Sequence, residues 1–199
     1  MGAREQILEA ADRLFGEEGF DATTTREIAE LSQVNKALIH YHFKSKEALF
    51  EAVLDRYYER LNATLMAALA VGERASDPIV RTVEVYVDFL SQNRNFSRIV
   101  QRESAGGRHI GRIRDHLEGM FKTGIDLLHE AYPKTRAGDM AAHHLLVSFY
   151  GMIVSWFTYS EVLGRLRGED PLADEELKRR KAHLRRLTEV ILKEIAPED

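Results

Sequence analysis

A chain of 199 residues with 44% hydrophobic, 9% aromatic and 30% charged residues has the composition of a folded globular protein, long enough for one large domain or a small plus a medium one, and not that of a disordered segment. The absence of cysteine excludes disulfides, thiolate nucleophiles and cysteine-ligated zinc. A net charge of −4 argues only weakly against a nucleic-acid partner, because the charge is unevenly spread: no acid falls between Glu30 and Glu47, and between Asp88 and Asp115 Glu103 alone opposes six arginines.

Almost every segment shows helical rather than strand periodicity, which predicts an all-α protein of about nine helices. Ile7, Leu8, Ala11, Leu14 and Phe15 line one face of a first helix over 3–18, which Gly16 and Gly19 help to end. Thr24 and Glu27 have the spacing of a capping box and open a short second helix that ends near Ser32. Asn35 is an N-cap for a third helix over 36–42, in which Ile39 and Phe43 turn inward. Ser45 caps a long fourth helix whose apolar positions Leu49, Val53, Tyr57, Leu61 and Leu65 run down one side until Gly72.

Asp77-Pro78 restarts the chain with a capping residue and a proline at the first helical position. Asn95 opens a further short helix that Ala105-Gly106-Gly107 closes, and a helix with apolar residues from Ile110 to Ala131 follows. The segment 138–163 reads as one helix, apolar nearly all round. Because it carries His143, His144, Ser148 and Ser155, it is expected between other helices rather than in a membrane. Beyond a Gly164–Pro171 linker, Leu177, Leu184, Leu187, Ile191 and Ile195 mark the last helix, over 174–195.

Two short helices joined by Gln33-Val34-Asn35 have the lengths of a helix-turn-helix, whose second helix projects into the major groove. By pattern alone the same residues also suit a small packed helical subdomain. The stretches Thr23-Thr24-Thr25-Arg26-Glu27-Ile28-Ala29, Val34-Asn35-Lys36-Ala37-Leu38-Ile39-His40-Tyr41-His42-Phe43 and Lys44-Ser45-Lys46-Glu47-Ala48-Leu49 together resemble the tetracycline-repressor (TetR) family over about 45 residues. Gln33 stands where that family often has a turn glycine, Ala37 where it often has another, and His40 where tyrosine is common. If the turn needs a left-handed residue, Gln33 adopts that conformation at a strain on the order of 1 kcal/mol.

The resemblance implies a three-helix DNA-binding domain over 1–47 and a ligand-binding and dimerisation domain over 48–199, acting as a ligand-responsive repressor on a palindromic operator. It also implies roles by position. Thr24 and Thr25 hold a phosphate at the start of the second helix, while Lys36, Tyr41, His42 and Lys46 contact phosphates or bases. Ala37 and Leu38 face base edges, and His40 either donates to a phosphate or faces solvent. The homodimer is expected through the last two long helices, with Gly151 and Ser155 allowing close approach.

The aromatic supply of 75–165 predicts a mainly apolar small effector walled by Phe89, Phe96, Met120, Phe121, Trp156 and Tyr159. Arg94, Arg98 and Arg102, one turn apart, suggest an anionic end for it, against the plainer reading of a solvated basic face. The alternative to a small effector is control by a protein partner, which a tightly filled C-terminal domain would favour. The eight histidines lack metal-ligand spacing, and neither a glycine-rich phosphate loop nor a Gly-x-Ser-x-Gly elbow is present, so no metal, cofactor or catalytic residue is expected. The charges at Arg4, Glu5, Glu9 and Asp12 do not suit a signal peptide, and a cytoplasmic protein is expected.

Overall fold

The computed structural model describes residues 2–70 and 77–196, and all regular structure among them is helical. The helices are α1 (Ala3–Glu17), α2 (Thr25–Ser32), α3 (Lys36–Phe43), α4 (Lys46–Ala70), α5 (Pro78–Gln92), α6 (Arg94–Ser104), α7 (Ile110–Ala131), α8 (Ala142–Thr158), α9 (Ser160–Arg167) and α10 (Asp174–Ile195), with a 3-10 turn at Pro133–Arg136. Gly72, the expected end of α4, lies outside the described residues. Two compact units divide the chain. One takes Met1–Arg60 with Asn93–Arg114, the other Leu61–Gln92 with Asp115–Asp199, so α4 and α7 each contribute to both.

The first unit is centred on aromatic side chains. The rings of Phe15 and Phe20 meet Phe50 nearly edge-on at 4.9 and 5.1 Å, among the fully buried Ile7, Leu8, Ile28 and Leu49. Each such side chain contributes roughly 1.5–3 kcal/mol by leaving water. Tyr57 and Tyr58 lie 4.9 and 5.1 Å from Phe96, which seats α6 on α4, and the Tyr57 hydroxyl donates to Asp12 at 2.6 Å. Burial, then that carboxylate, pushes the Tyr57 phenol well above its ordinary value.

Where α1 ends, α6 supplies what the helix lacks. Arg102 donates to the carbonyls of Phe15, Gly16 and Glu17 at 3.2, 3.0 and 2.9 Å; Phe15 also accepts the Gly19 N–H at 3.1 Å, while Gly16 and Glu17 are among the carbonyls that a helix terminus leaves without an intrahelical donor. The two backbones approach so closely that a Cβ on Gly16 would stand 2.6 Å from Asn95. That contact explains a difference from the sequence expectation: α6 begins at Arg94, and Asn95 packs on α1 instead of capping its own helix.

In the second unit α8 buries Leu145, Phe149, Ile153 and Phe157, spaced four apart, and α10 buries Leu177, Leu184, Thr188, Leu192 and Ile195. Asp77 caps α5 as expected, accepting from the Ile79 N–H at 2.7 Å. Of the single helix expected over 138–163, residues 138–141 are not helical, Gly138 having φ +82°, and the remainder falls in two helices. α8 stops at Thr158, and α9 leaves it at 64°. No residue of α9 is buried, so packing that holds α8 straight does not extend to it. No single helix among the described residues is long and apolar enough to cross a membrane.

Candidate nucleic-acid interface and internal cavity

The start of α2 is fixed by a reciprocal cap. The Thr24 hydroxyl accepts from the Glu27 N–H at 3.2 Å and donates to the Glu27 carboxylate at 2.8 Å, and the same carboxylate accepts from the Thr24 N–H at 2.8 Å. The Thr24 hydroxyl holds the Glu27 carboxyl below the usual carboxylate range. At the turn Gln33 is left-handed, with φ +56° and ψ +32°, and the Val34 N–H reaches back to the Ala29 carbonyl at 3.2 Å. Asn35 then accepts from the Ala37 N–H at 2.9 Å and starts α3.

With Ile39 and Phe43 buried, α3 exposes Lys36, Ala37, Leu38, His40 and Tyr41, the last 69% accessible. Two of these are large apolar surfaces left in water on a short helix. Thr25, Lys36, Ala37, His40, Lys44, Ser45 and Lys46 surround a shallow basin whose lining includes three lysines and no carboxylate. Lys44 has a left-handed backbone, φ +65°, and its ammonium donates to the Tyr41 carbonyl at 3.0 Å. Ser45 caps α4, accepting from the Ala48 N–H at 3.1 Å.

Four of the sequence-predicted contact residues have local partners, Tyr41 and His42 being ring neighbours of each other at 5.1 Å. Lys46 donates to the carbonyls of Phe20 and Thr23, both at 2.9 Å, and lies 4.2 Å from the centre of the Phe20 ring, leaving one ammonium N–H for any other partner. The Thr24 hydroxyl is committed to Glu27. His42 is half-buried beside the rings of Tyr41 and Phe43. The structure therefore gathers Thr25, Lys36, Ala37, His40 and Lys46 at the basin and sets Leu38 and Tyr41 on the open face. Lys44 and Ser45 join them without having been singled out as contacts; the acid-free window around Lys44 was the available signal.

Within the second unit α4, α5, α7 and α8 line a cavity of about 120 Å³. Its walls include Leu65, Val83, Met120, Phe121, Leu127 and Tyr150. Gly124 faces it from α7, where a Cβ would come within 2.8 Å of the Leu146 side chain. The rings of Tyr150 and Phe121 meet nearly edge-on at 5.4 Å.

Four of the six expected walls are elsewhere. Phe89 is buried but does not line the cavity, and Phe96 belongs to the first unit against Tyr57 and Tyr58. The Trp156 indole donates to the Pro171 carbonyl at 3.0 Å, with the Arg180 guanidinium 4.8 Å from its ring centre, and Tyr159 is 59% exposed beside the α8–α9 bend. Ring size and apolarity made these residues candidates, but which helix face turns inward is a tertiary matter. The arginine expectation also changes: Arg94, Arg98 and Arg102 lie in the first unit, Arg102 caps α1, and no lysine, arginine or histidine lines the cavity.

The model of bacterial regulatory proteins of the tetR family matches residues 7–53, which hold α2, the turn and α3. The chain is 30% identical over 146 residues to the HTH-type transcriptional repressor NicS of Pseudomonas putida, covering 63% of this chain and 69% of NicS. It is 28% identical over 172 residues to the HTH-type transcriptional repressor Rv3405c of Mycobacterium tuberculosis, covering 86% and 81%. Its fold is similar to that of a solved transcriptional regulator from Aquifex aeolicus, with a TM-score of 0.76 and 19% identity, over 96% of this chain and 99% of that one.

Proposed function

The chain belongs to the tetR family of bacterial regulatory proteins and is a transcriptional regulator, and from that premise we propose that it is a homodimeric repressor, released from a palindromic operator by a small apolar effector. The observation that carries the DNA-binding half is the basin with three lysines and no acid, beside a short helix whose apolar and aromatic side chains stand in water. Lys36, Lys44, His40 and Thr25 contact phosphates; Ala37, Leu38 and Tyr41 meet base edges; and Thr24 acts through the cap that fixes α2. Lys46 and His42 chiefly set the shape of the reading head, Lys46 by holding the α1–α2 loop to the start of α4. Residues 1–47 form the operator-binding domain and 48–199 the effector and dimer domain. The work of the protein is then in the cytoplasm, with the DNA.

An apolar cavity lined by four helices favours a small molecule over a protein partner as the effector. Exposed Val147, Val162, Leu166 and Val190, with half-buried Leu187, support a dimer through α8 to α10. Release follows if the effector prefers a state in which the two recognition helices no longer match successive major grooves, and α4, shared by both units, is the lever. Selection from a random duplex library tests the operator reading. An enriched palindrome is expected, with binding that weakens steeply as salt rises. Recovery of no preferred site would sink it.

A further inference from the structure

The six arginines between Asp88 and Asp115 have different fates in the structure. Glu103, the one acid of that stretch, is buried, so its exposed surface carries no carboxylate. Arg102 is committed to the end of α1, and Arg112 makes a two-pronged pair with Asp55 at 2.8 and 2.6 Å. Arg108, on the link between α6 and α7, stays 66% exposed, and the carboxylate beside it is that of Asp21, 87% exposed and 3.7 Å away. A pair that long and that exposed holds a guanidinium weakly, and an incoming anion can displace it.

The backbone carrying Arg108 is pinned on both sides. The Glu103 carboxylate accepts the His109 N–H at 2.7 Å, and the buried His109 ring lies 4.4 Å from both Phe20 and Phe50. At Gly107 the two strands of the link are so close that a Cβ would come 2.5 Å from the Glu103 Cα. Held between these points, Arg108 stands over the Phe20 ring, 5.7 Å from its centre, and Lys46 stands over the same ring at 4.2 Å. The two cations are thus within a Debye length of each other, about 10 Å at 0.1 M salt. Both also act on Glu47 in the first turn of α4, whose carboxyl is held below the usual carboxylate range first by its own backbone N–H, then by Ser45, Lys46 and Arg108. Lys46 lines the basin beside α3, so the cationic surface of the first unit continues from that basin to Arg108.

A duplex offers its phosphates in a row along each strand. We infer that Arg108 extends the operator-binding surface beyond residues 1–47: it exchanges Asp21 for a phosphate lying outside those met by Lys36 and Lys44, a contact that carries no sequence information. The inference rests on reading the basin as a phosphate-binding site. Arginine suits the position, because its planar fork meets a phosphate with two N–H groups while its face stays against the ring.

Binding of the full-length protein to the selected operator, and to an unrelated duplex, measured across a range of salt, tests this. Arg108→Ala is expected to weaken both about 10-fold at 0.1 M salt, and to flatten the plot of log affinity against log salt for the operator by about 2, one phosphate per half-site. Arg108→Gln, which keeps the stem on the ring, is expected to do the same, whereas Arg108→Lys keeps most of the slope. Arg98→Ala, at an exposed arginine of α6, is expected to match the parent, and Asp21→Asn to bind about 2-fold more tightly. Ethylation interference is expected to lose one phosphate per half-site in Arg108→Ala. Parental slope and affinity in Arg108→Ala and Arg108→Gln, or an equal loss in Arg98→Ala or Arg108→Lys, would overturn the contact and leave the basin reading standing. If the parent itself binds neither duplex, the basin reading falls and this one with it.

Discussion

At the scale of single residues the reading head depends on side chains that serve the backbone. Thr24 makes three hydrogen bonds with Glu27, and Thr24→Ala removes the side-chain part of that cap. A loss of about 1 kcal/mol in chemical denaturation is expected, with Thr24→Ser close to neutral. Gln33 and Lys44 are the non-glycine residues with positive φ among those described. Gln33→Gly relieves the left-handed strain and adds unfolded-state entropy, so a net change of less than about 1 kcal/mol is expected. Gln33→Val, β-branched and bulky, is expected to lower the denaturation midpoint clearly.

Titration acts at this scale too. Arg167 and Arg179 bond the carboxylate of buried Glu176, and Arg167 above all holds its pKa below the ordinary 4.5. A carboxylate with a depressed folded-state pKa contributes stability that is complete above its unfolded value and is lost as pH falls through the folded one. Glu176→Gln is therefore expected to weaken the protein at neutral pH and to lose less stability than the parent on acidification from about pH 7 to pH 3. Equal slopes for the two proteins would refute this assignment.

At the scale of elements, α1 and α6 behave as one piece because α6 supplies the end of α1. Arg102→Ala strips three carbonyls of a charged donor, and a loss of about 1–3 kcal/mol is expected, larger than for Arg98→Ala, an exposed residue one turn earlier in the same helix. The link from α6 to α7 is equally close. A Cβ on Gly107 would come 2.5 Å from the Glu103 Cα, which cannot rotate away, while the Glu103 carboxylate accepts the His109 N–H at 2.7 Å. Gly107→Ala is thus expected to cost more than about 2 kcal/mol, measured by thermal or chemical unfolding, despite adding one methyl group. A near-neutral result would show that the α6–α7 link yields easily.

At the scale of the whole molecule the expectation is dimerisation. Gly151 is exposed, and a Cβ added there would meet nothing within 4 Å in the single chain. Gly151→Arg should therefore fold normally as a monomer, and so should Leu187→Glu. Light scattering is expected to report half the parent mass, with operator affinity reduced by at least about 100-fold once the two half-sites are no longer read together. A dimer of unchanged mass in both variants would place the interface elsewhere.

What the sequence by itself determined was local. Thr24, Asn35, Ser45 and Asp77 cap the helices assigned to them, Gln33 takes the left-handed turn, and the helix-turn-helix lies where its spacing put it. Each of those outcomes is settled by atoms within about four residues, which neighbours in the chain control. The tertiary structure alone decided what distant segments do together. Arg102 serves the end of α1 across as many as 87 residues, and Lys46 reaches 26 and 23 residues back to carbonyls of the α1–α2 loop. The cavity walls come from four helices, and no periodicity within one helix tells a residue facing a void from one facing a filled core. The break between α8 and α9 has the same origin: no proline falls between Ala142 and Leu163, but α8 buries one face while α9 buries no residue.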